Sequence, residues 1–567
     1  MTFLINLFFS ITLLNLLFQL GNIITKNKSK RVDPYFFISI VFGYTILSLV
    51  VQYLLIFDSY SLISAIISIS ILISLLNIKL FIEKIKSLVL QLGQYNFPII
   101  LILAVLFLSI FHPVNDADSL GYHLFIPKEI IINKKFQWNN SLYTFGLYGT
   151  GEFFNVILML FKSSYLNNLL QFISLLFLFF ELFGYNPKKN IDFKYLSFFG
   201  IPCLIYFFFG GKPHLMALAI SIFLFRRTLK DQNFNQFLFF STLIILPLIK
   251  INFLLSSFLL FIVYLINKFQ KIKIAKSLLF IIPLTLLVYF PYFYFKIQNG
   301  FEFDLNIFLP IKNDFPARNE FLNFINNYKG ESNLNFPINL FFSDNIGSYS
   351  TLMGLPFTLL ILKKIKYNII HNITSLFYLI LIPIYIQPTA RFIIEPLFWL
   401  YITNENSKSL ISSQYIKFLS YPLALIQLIF FTLFTYNSIY SIFNPYYINS
   451  KTTYGYNFAN NVNRLIDNNE GIIVDHRSKS LLNHKYVYTS DFIGFKWSKK
   501  EINNLLQINK INYIVARDKN LNEYLKYSNN IISGPHNFKE VTRNPISKGI
   551  NDKFWILSFD KTLNCID

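Results

Sequence analysis

Charge is scarce in this 567-residue chain: Asp, Glu, Lys and Arg make up 14% of it, about half the share of a soluble domain. Acidic residues are scarcer still, 29 against 50 Lys and Arg. The two cysteines, Cys203 inside an apolar run and Cys565 near the end, give neither a disulfide framework nor a metal-ligand spacing. There is no P-loop and no DxD-type motif in a soluble Rossmann-like segment, which excludes the usual nucleotide-sugar pocket. The first apolar block starts at residue 3 without a positive leader, so the expectation is a retained helix and not a cleaved signal.

What the chain has instead is apolar and aromatic bulk, 54% and 19% of its residues. The apolar residues fall in blocks of about 16 to 24, such as "FLINLFFSITLLNLLFQL" and "SLLFIIPLTLLVYFPYFYF", each long enough to cross a hydrocarbon layer as a helix. The fold expected is an α-helical polytopic membrane protein of about 14 transmembrane helices, followed by a small C-terminal α/β domain. The expected divisions are 1–112, the first four spans; 113–165, a loop with interfacial helices; 166–435, a transmembrane core with a loop at 296–346; and 436–567, the α/β domain.

A formal charge of +21 raises the possibility of nucleic acid, but its distribution argues for a membrane. Lys and Arg gather in short connectors, among them Lys26 to Arg31, Arg226 to Lys230 and Lys363 to Lys366. Placing these connectors in the cytoplasm obeys the positive-inside rule. Residues 113–165, "GGKPH", the turn at Lys250, the 296–346 loop, "QPTAR" and everything after about 436 then lie outside. The scheme requires "GEFFNVILMLF" to be an interfacial or re-entrant helix, and it is short for a crossing.

The tail changes texture. "NFANNVNRLIDNNEGIIVDHRS" reads as an amphipathic helix followed by a buried strand, "KKEINNLLQINKINYIVARD" repeats that pattern, and "KFWILSFD" closes as a strand. Asp475, His476, Arg477, Arg517 and Asp518 fall at strand ends, where turn and surface roles are expected because no Gly-rich phosphate loop follows.

The stretch "HPVNDADSLGYHLFIPKEII", residues 112–131, concentrates titratable groups directly behind an apolar run. Asp118 before Ser119 has the pattern of a helix cap. Asp116 has three readings: a partner in proton transfer, one ligand of a divalent cation, or a cap of the following turn. If residues 118–126 are helical, Tyr122 lies one turn beyond Asp118 on the same face, with His123 beside it. An interfacial Tyr also serves as a membrane anchor, and a His here also suits a loop carbonyl.

"DSLGYHL", with "FQWNN" and then "YGTGEFFNVILMLFKSSYLNNLLQF" behind it, resembles the first extracytoplasmic loop of the GT-C membrane glycosyltransferases, in particular their RgtA/B/C/D-like and dolichyl-phosphate-mannose mannosyltransferase-like branch. The resemblance continues in order through "GGKPHLMALAI", "LIKINFLL", "YSTLMGLPFTLL" and "QPTARFIIEP". It implies many membrane helices, an extracytoplasmic active site in the cytoplasmic membrane, a sugar donor on a polyprenyl phosphate, and a glycan, lipid or protein acceptor. Nucleic acid is not among the expected partners. Asp118 aligns with the family's loop aspartate as the general base, with Asp116 as a second catalytic candidate. Tyr122, His123 and Glu152 become candidates for substrate contact, although an acid at the Glu152 position also suits a helix dipole. Lys212, Lys250 and Arg391, single cations at the outer ends of apolar spans, are candidates for the lipid phosphate or for snorkelling to phospholipid headgroups. Arg391 is the strongest of them, since its fork makes two bonds to a phosphate. His214 departs from relatives that carry an acid near this lysine. No metal site is expected and no cofactor required, with Mg²⁺ or Mn²⁺ left open at the aspartates.

Three other classes remain: a lipid-linked-oligosaccharide flippase or transporter, expected to show inverted halves or Gly/Pro-broken helices in matching positions; an O-antigen polymerase or ligase, expected to concentrate Arg or His in one late loop; and a purely structural membrane scaffold.

Overall fold

The computed structural model describes residues 2–136, 148–185, 192–208, 211–230, 235–268, 274–298, 337–342, 352–364, 368–385, 389–484, 486–489, 511–541 and 549–560. Most of "FQWNN", the greater part of the 296–346 loop, the helix expected in "KKEINNLLQI" and Cys565 lie outside these residues. The chain divides into two units. The first comprises Met1–His112, Gly149–Tyr292 and Tyr328–Ile442; the second comprises Pro113–Tyr148, Phe293–Asn327 and Phe443–Asp567.

The first unit is helical throughout its described residues, apart from one isolated bridge between Lys363 and Ser409. Its helices follow from uninterrupted apolar sequence punctuated by capping residues. The helix Pro34–Ile56 starts where Asp33 accepts the Phe36 N–H at 3.1 Å and proline takes the first position, whose N–H would have no helical partner. It pairs with Thr2–Thr25 backbone to backbone. A Cβ on Gly43 would stand 1.9 Å from the Leu17 carbonyl oxygen, and one on Gly21 1.7 Å from that of Ser39. Small residues replace the missing hydrophobic drive between membrane helices by letting them approach closely. Tyr165–Phe183 is buried almost all round, with Phe177 stacked on Phe37 at 5.0 Å and the buried Asn168 amide donating to the carbonyls of Ile110 and His112.

Among the described residues five helices are long and apolar enough to cross a membrane: Phe3–Thr25, Pro34–Ile56, Tyr165–Phe183, Ile281–Gln298 and Ser413–Phe443. A sixth results if Leu62–Leu76 and Ile78–Leu92, bent by 71° at their junction, make one span. Other apolar blocks, including Gln236–Ile249 and Ile369–Pro383, fold as helices of 10–17 residues. The chain is thus mainly helical, with several apolar helices of a membrane-embedded protein, but the described helices do not reach the expected count of about 14. A count of apolar runs does not register where the backbone bends or stops.

The second unit contains a five-stranded sheet in the order β2-β1-β3-β5-β4. The strands are β1 (Gly471–Val474), β2 (Tyr486–Thr489), β3 (Ile511–Arg517), β4 (Ser528–Glu540) and β5 (Ile550–Phe559). β1 pairs in parallel with β2 and β3, whereas β5 runs antiparallel to both β3 and β4. The helix Tyr456–Leu465 and strands β1, β3 and β5 occupy the segments expected from the pattern of the tail. Ile473, Ile514, Ala516, Leu557 and Phe559 form a core with Tyr524. The long β4 has no apolar alternation because it is an edge strand, mostly exposed and paired only with β5.

Candidate functional site

In the second unit, the loop that begins at Pro113 enters a single π-helical turn, Ser119–His123, and then the helix Phe125–Asn133. The bond from the Leu124 N–H to the Ser119 carbonyl, 2.9 Å, closes the wide turn. Such turns occur often at functional sites because they displace side chains from the regular helical face. The capping question is answered by the neighbour: Asp116 Oδ1 accepts the Ser119 N–H at 3.0 Å, whereas the Asp118 side chain makes no cap bond. Asp116 is buried. Asp118, 23% exposed, forms an ion pair through Oδ1 with Nη1 of Arg477 at 3.7 Å. Tyr122 and His123 place their rings 4.1 Å apart, with His123 buried and Tyr122 half-buried.

Arg477 follows β1 at its carboxyl end, and the roles expected for its neighbours need correction. Asp475 and His476 are buried. Asp475 pairs with Arg517 at 3.6 Å and accepts from Asn520. Burial pushes its carboxyl up, and the Arg517 charge opposes that. His476 Nε2 donates to Glu540 at 2.6 Å, while its Nδ1 accepts the Ser478 N–H at 3.1 Å; its ring lies between Tyr454 and Phe458. Arg517 also reaches Asp552, at 3.9 Å, and Asp518 accepts from the Trp555 indole at 3.1 Å. These are tertiary pins and not loose turn residues. The sequence signal was present, a charged triplet just after a buried strand, but nothing local tied it to Asp118.

The first unit gathers the other group. The helix Thr150–Leu160 begins with Glu152, whose Oε2 accepts the Gly149 N–H at 2.6 Å, so this buried acid caps its own helix. The Thr150 hydroxyl donates to the Leu248 carbonyl at 3.2 Å, and the Cβ position of Gly151 lies 3.2 Å from Pro213. The helix itself is buried on every side and packs Phe154 against Tyr44, so it is an element of the helical body and not one laid on its surface. The start of the next helix concerned, His214–Lys230, lies beside the start of Ala390–Thr403: His214 Nε2 donates to the Arg391 carbonyl at 3.2 Å. The His214 ring stacks on Phe207 at 4.3 Å. The ring of Phe253, three residues beyond Lys250, meets the His214 ring at 5.3 Å, and Lys212 lies two residues before His214 in the chain. The Lys212 carbonyl is held by Gln171 at 2.7 Å.

Residues 152, 212, 214, 250 and 391 are therefore brought together in the first unit, and residues 116, 118, 122 and 123 in the second. Lys212 and Arg391 stand at the starts of the helices His214–Lys230 and Ala390–Thr403, whose N-terminal dipoles add positive potential, whereas Lys250 caps the carboxyl end of Gln236–Ile249. Among the described residues no three His, Cys, Asp or Glu side chains stand as a metal-ligand group.

Residues 7–448 match the family model of the DUF1420 N-terminal domain. The chain belongs to this family. The match includes all nine candidate residues and ends before the sheet of the second unit, so Arg477 lies outside it. No curated protein and no solved structure matches the chain.

Proposed function

We propose that this member of the DUF1420 family is a GT-C-type membrane glycosyltransferase. It moves a sugar from a polyprenyl-phosphate donor to a hydroxyl of an envelope glycan, lipid or protein at the extracytoplasmic face of the cytoplasmic membrane. The observation that carries this reading is the meeting of the segments that bear Lys212, Lys250 and Arg391 at His214, from three separate parts of an apolar helical unit. Cations are costly in an apolar helical unit, and a lipid phosphate is an anion that belongs in such surroundings. The likeness of "DSLGYHL" to the GT-C loop supports the assignment of the sugar chemistry.

In this reading an acceptor oxygen attacks the anomeric carbon, its proton passes to the Asp118 carboxylate, and the bond from that carbon to the phosphate oxygen breaks. The electron pair leaves with the polyprenyl phosphate. Asp116, whose Oδ1 accepts the Ser119 N–H, is given no part in proton transfer in this reading.

The test uses full-length protein in sealed proteoliposomes with radiolabelled polyprenyl-phosphate hexose or pentose and envelope extract as acceptor. Wild type transfers label into extractable glycan, and Asp118→Asn loses about 10²- to 10⁴-fold, the usual contribution of a general base. Undiminished transfer by Asp118→Asn sinks the base assignment. Movement of donor across the bilayer by wild type without transfer replaces the enzyme with a flippase.

A further inference from the structure

The segment after β1 is unusual in how it presents one side chain. Residues 474, 475, 476, 478 and 479 are buried, and Arg477 alone among them is not, its side chain being 43% exposed. His476 is fixed by Glu540 on one ring nitrogen and by Ser478 on the other, with aromatic rings on both faces. The run is thus pinned on either side of Arg477, which fixes where its guanidinium starts.

The candidate loop comes to the same place. The backbone of Gly121 in "DSLGYHL" approaches so closely that a Cβ there would lie 3.1 Å from the Arg477 carbonyl oxygen. A second tie holds the start of the loop, where the Tyr454 N–H donates to the Asn115 carbonyl at 3.1 Å. A third is the Lys128 ammonium, which donates to the carbonyls of Ser480, at 3.3 Å, and Leu482. The place itself has a topological meaning. In the order β2-β1-β3 the connection from β1 leads to one side and that into β3 to the other, so the crevice at the carboxyl ends of β1 and β3 is a switch point, where open α/β sheets put their working residues.

We propose that Arg477 is a positioning residue for Asp118, supplied by the C-terminal sheet, and that the sheet is a working part of the transferase. The ion pair orients the carboxylate and keeps it in its charged, proton-accepting form. Gly121 favours this approach, because a Cβ there would crowd the Arg477 carbonyl oxygen at 3.1 Å and press the π-helical turn away from it. This inference rests on the reading of Asp118 as the base. It accounts for residues beyond the family match: the DUF1420 segment carries the carboxylate, and the appended sheet aims it.

The experiment compares wild type, Arg477→Ala, Arg477→Lys, Gly121→Ala and Asp118→Asn as full-length protein in nanodiscs. It measures kcat and donor KM for transfer, together with hydrogen exchange of residues 113–124. Arg477→Ala is expected to lower kcat about 10- to 100-fold, the scale of a misplaced catalytic group, with donor KM changed by less than about threefold. Arg477→Lys recovers much of that loss by restoring the charge, and Gly121→Ala lowers kcat with the arginine still present. Exchange in 113–124 rises in Arg477→Ala and Gly121→Ala and stays near wild type in Arg477→Lys. Wild-type kcat in Arg477→Ala while Asp118→Asn is inactive overturns this inference and leaves the proposed function standing. An Arg477→Ala chain whose loss is entirely in expression or thermal stability, with normal kcat per folded molecule, overturns it too. Full activity of Asp118→Asn overturns both.

Discussion

Asp116 and Asp118 stand two residues apart, yet the fold gives them different work: one is buried and caps the π-helical turn, the other is half-buried and faces an arginine. Replacing Asp116 by Ala removes a cap worth about 1 kcal/mol. Thermal denaturation is therefore expected to show a modest loss of stability, while transfer falls far less than in Asp118→Asn. Glu129, on the helix that follows, carries a pH signature. Burial pushes its carboxyl up to about 7 from the ordinary 4.5, against the opposing effects of Lys128 and of the Asn133 amide. A raised acid favours folding fully only below its unfolded value; the contribution is lost as pH rises from about 4.5 through about 7. Melting temperature should accordingly decline across that interval in wild type, and Glu129→Gln should flatten the decline. An unchanged pH slope in Glu129→Gln would contradict the burial of this carboxyl.

At the scale of elements, the paired helices Thr2–Thr25 and Pro34–Ile56 depend on two missing side chains. Gly43→Ala puts a methyl group into the Leu17 carbonyl, and the helices have to separate. A loss of about 1–3 kcal/mol follows from overpacking, readable as a lower melting temperature in detergent. Farther along, Glu395 ties three helices by accepting from Ser221 and, at 2.7 Å, from the Tyr378 hydroxyl, while the Trp399 indole donates to Ser221 at 3.1 Å. Glu395→Ala leaves those buried donors without their acceptor, at about 1–3 kcal/mol, so it should destabilise the chain more than Glu395→Gln does. Elements differ in how well their sequence announces them. β1, β3 and β5 are legible because one or both faces are buried and their residues are β-branched or aromatic, whereas β4 is an exposed edge strand that reads as polar loop. The short helix Thr150–Leu160 is legible in length but not in setting, since an apolar run of eleven residues suits a lipid interface and a protein interior equally.

For the whole molecule, the proposed chemistry would draw on charges that the chain disperses. If Lys250 and Arg391 share one phosphate, Lys250→Ala and Arg391→Ala should each raise donor KM, and their double variant should cost less than the sum, with a coupling of about 0.5–3 kcal/mol; strict additivity would assign them to separate anions. The sequence by itself determined the membrane class, because apolar runs and scarce charge admit no other solvent, and it picked out the loop around Asp118, because titratable groups are costly where apolar segments end. Its pattern also foretold the helix and three strands of the C-terminal domain, since burial periodicity is a local property. Only the tertiary structure decided that Asp116 caps while Asp118 meets Arg477, that Glu152 satisfies its own helix, and that the segments of Lys212, Lys250 and Arg391 meet at one histidine. The physical reason is range: solvation and periodicity are written residue by residue, whereas an ion pair between distant segments exists only after the backbone has closed the distance.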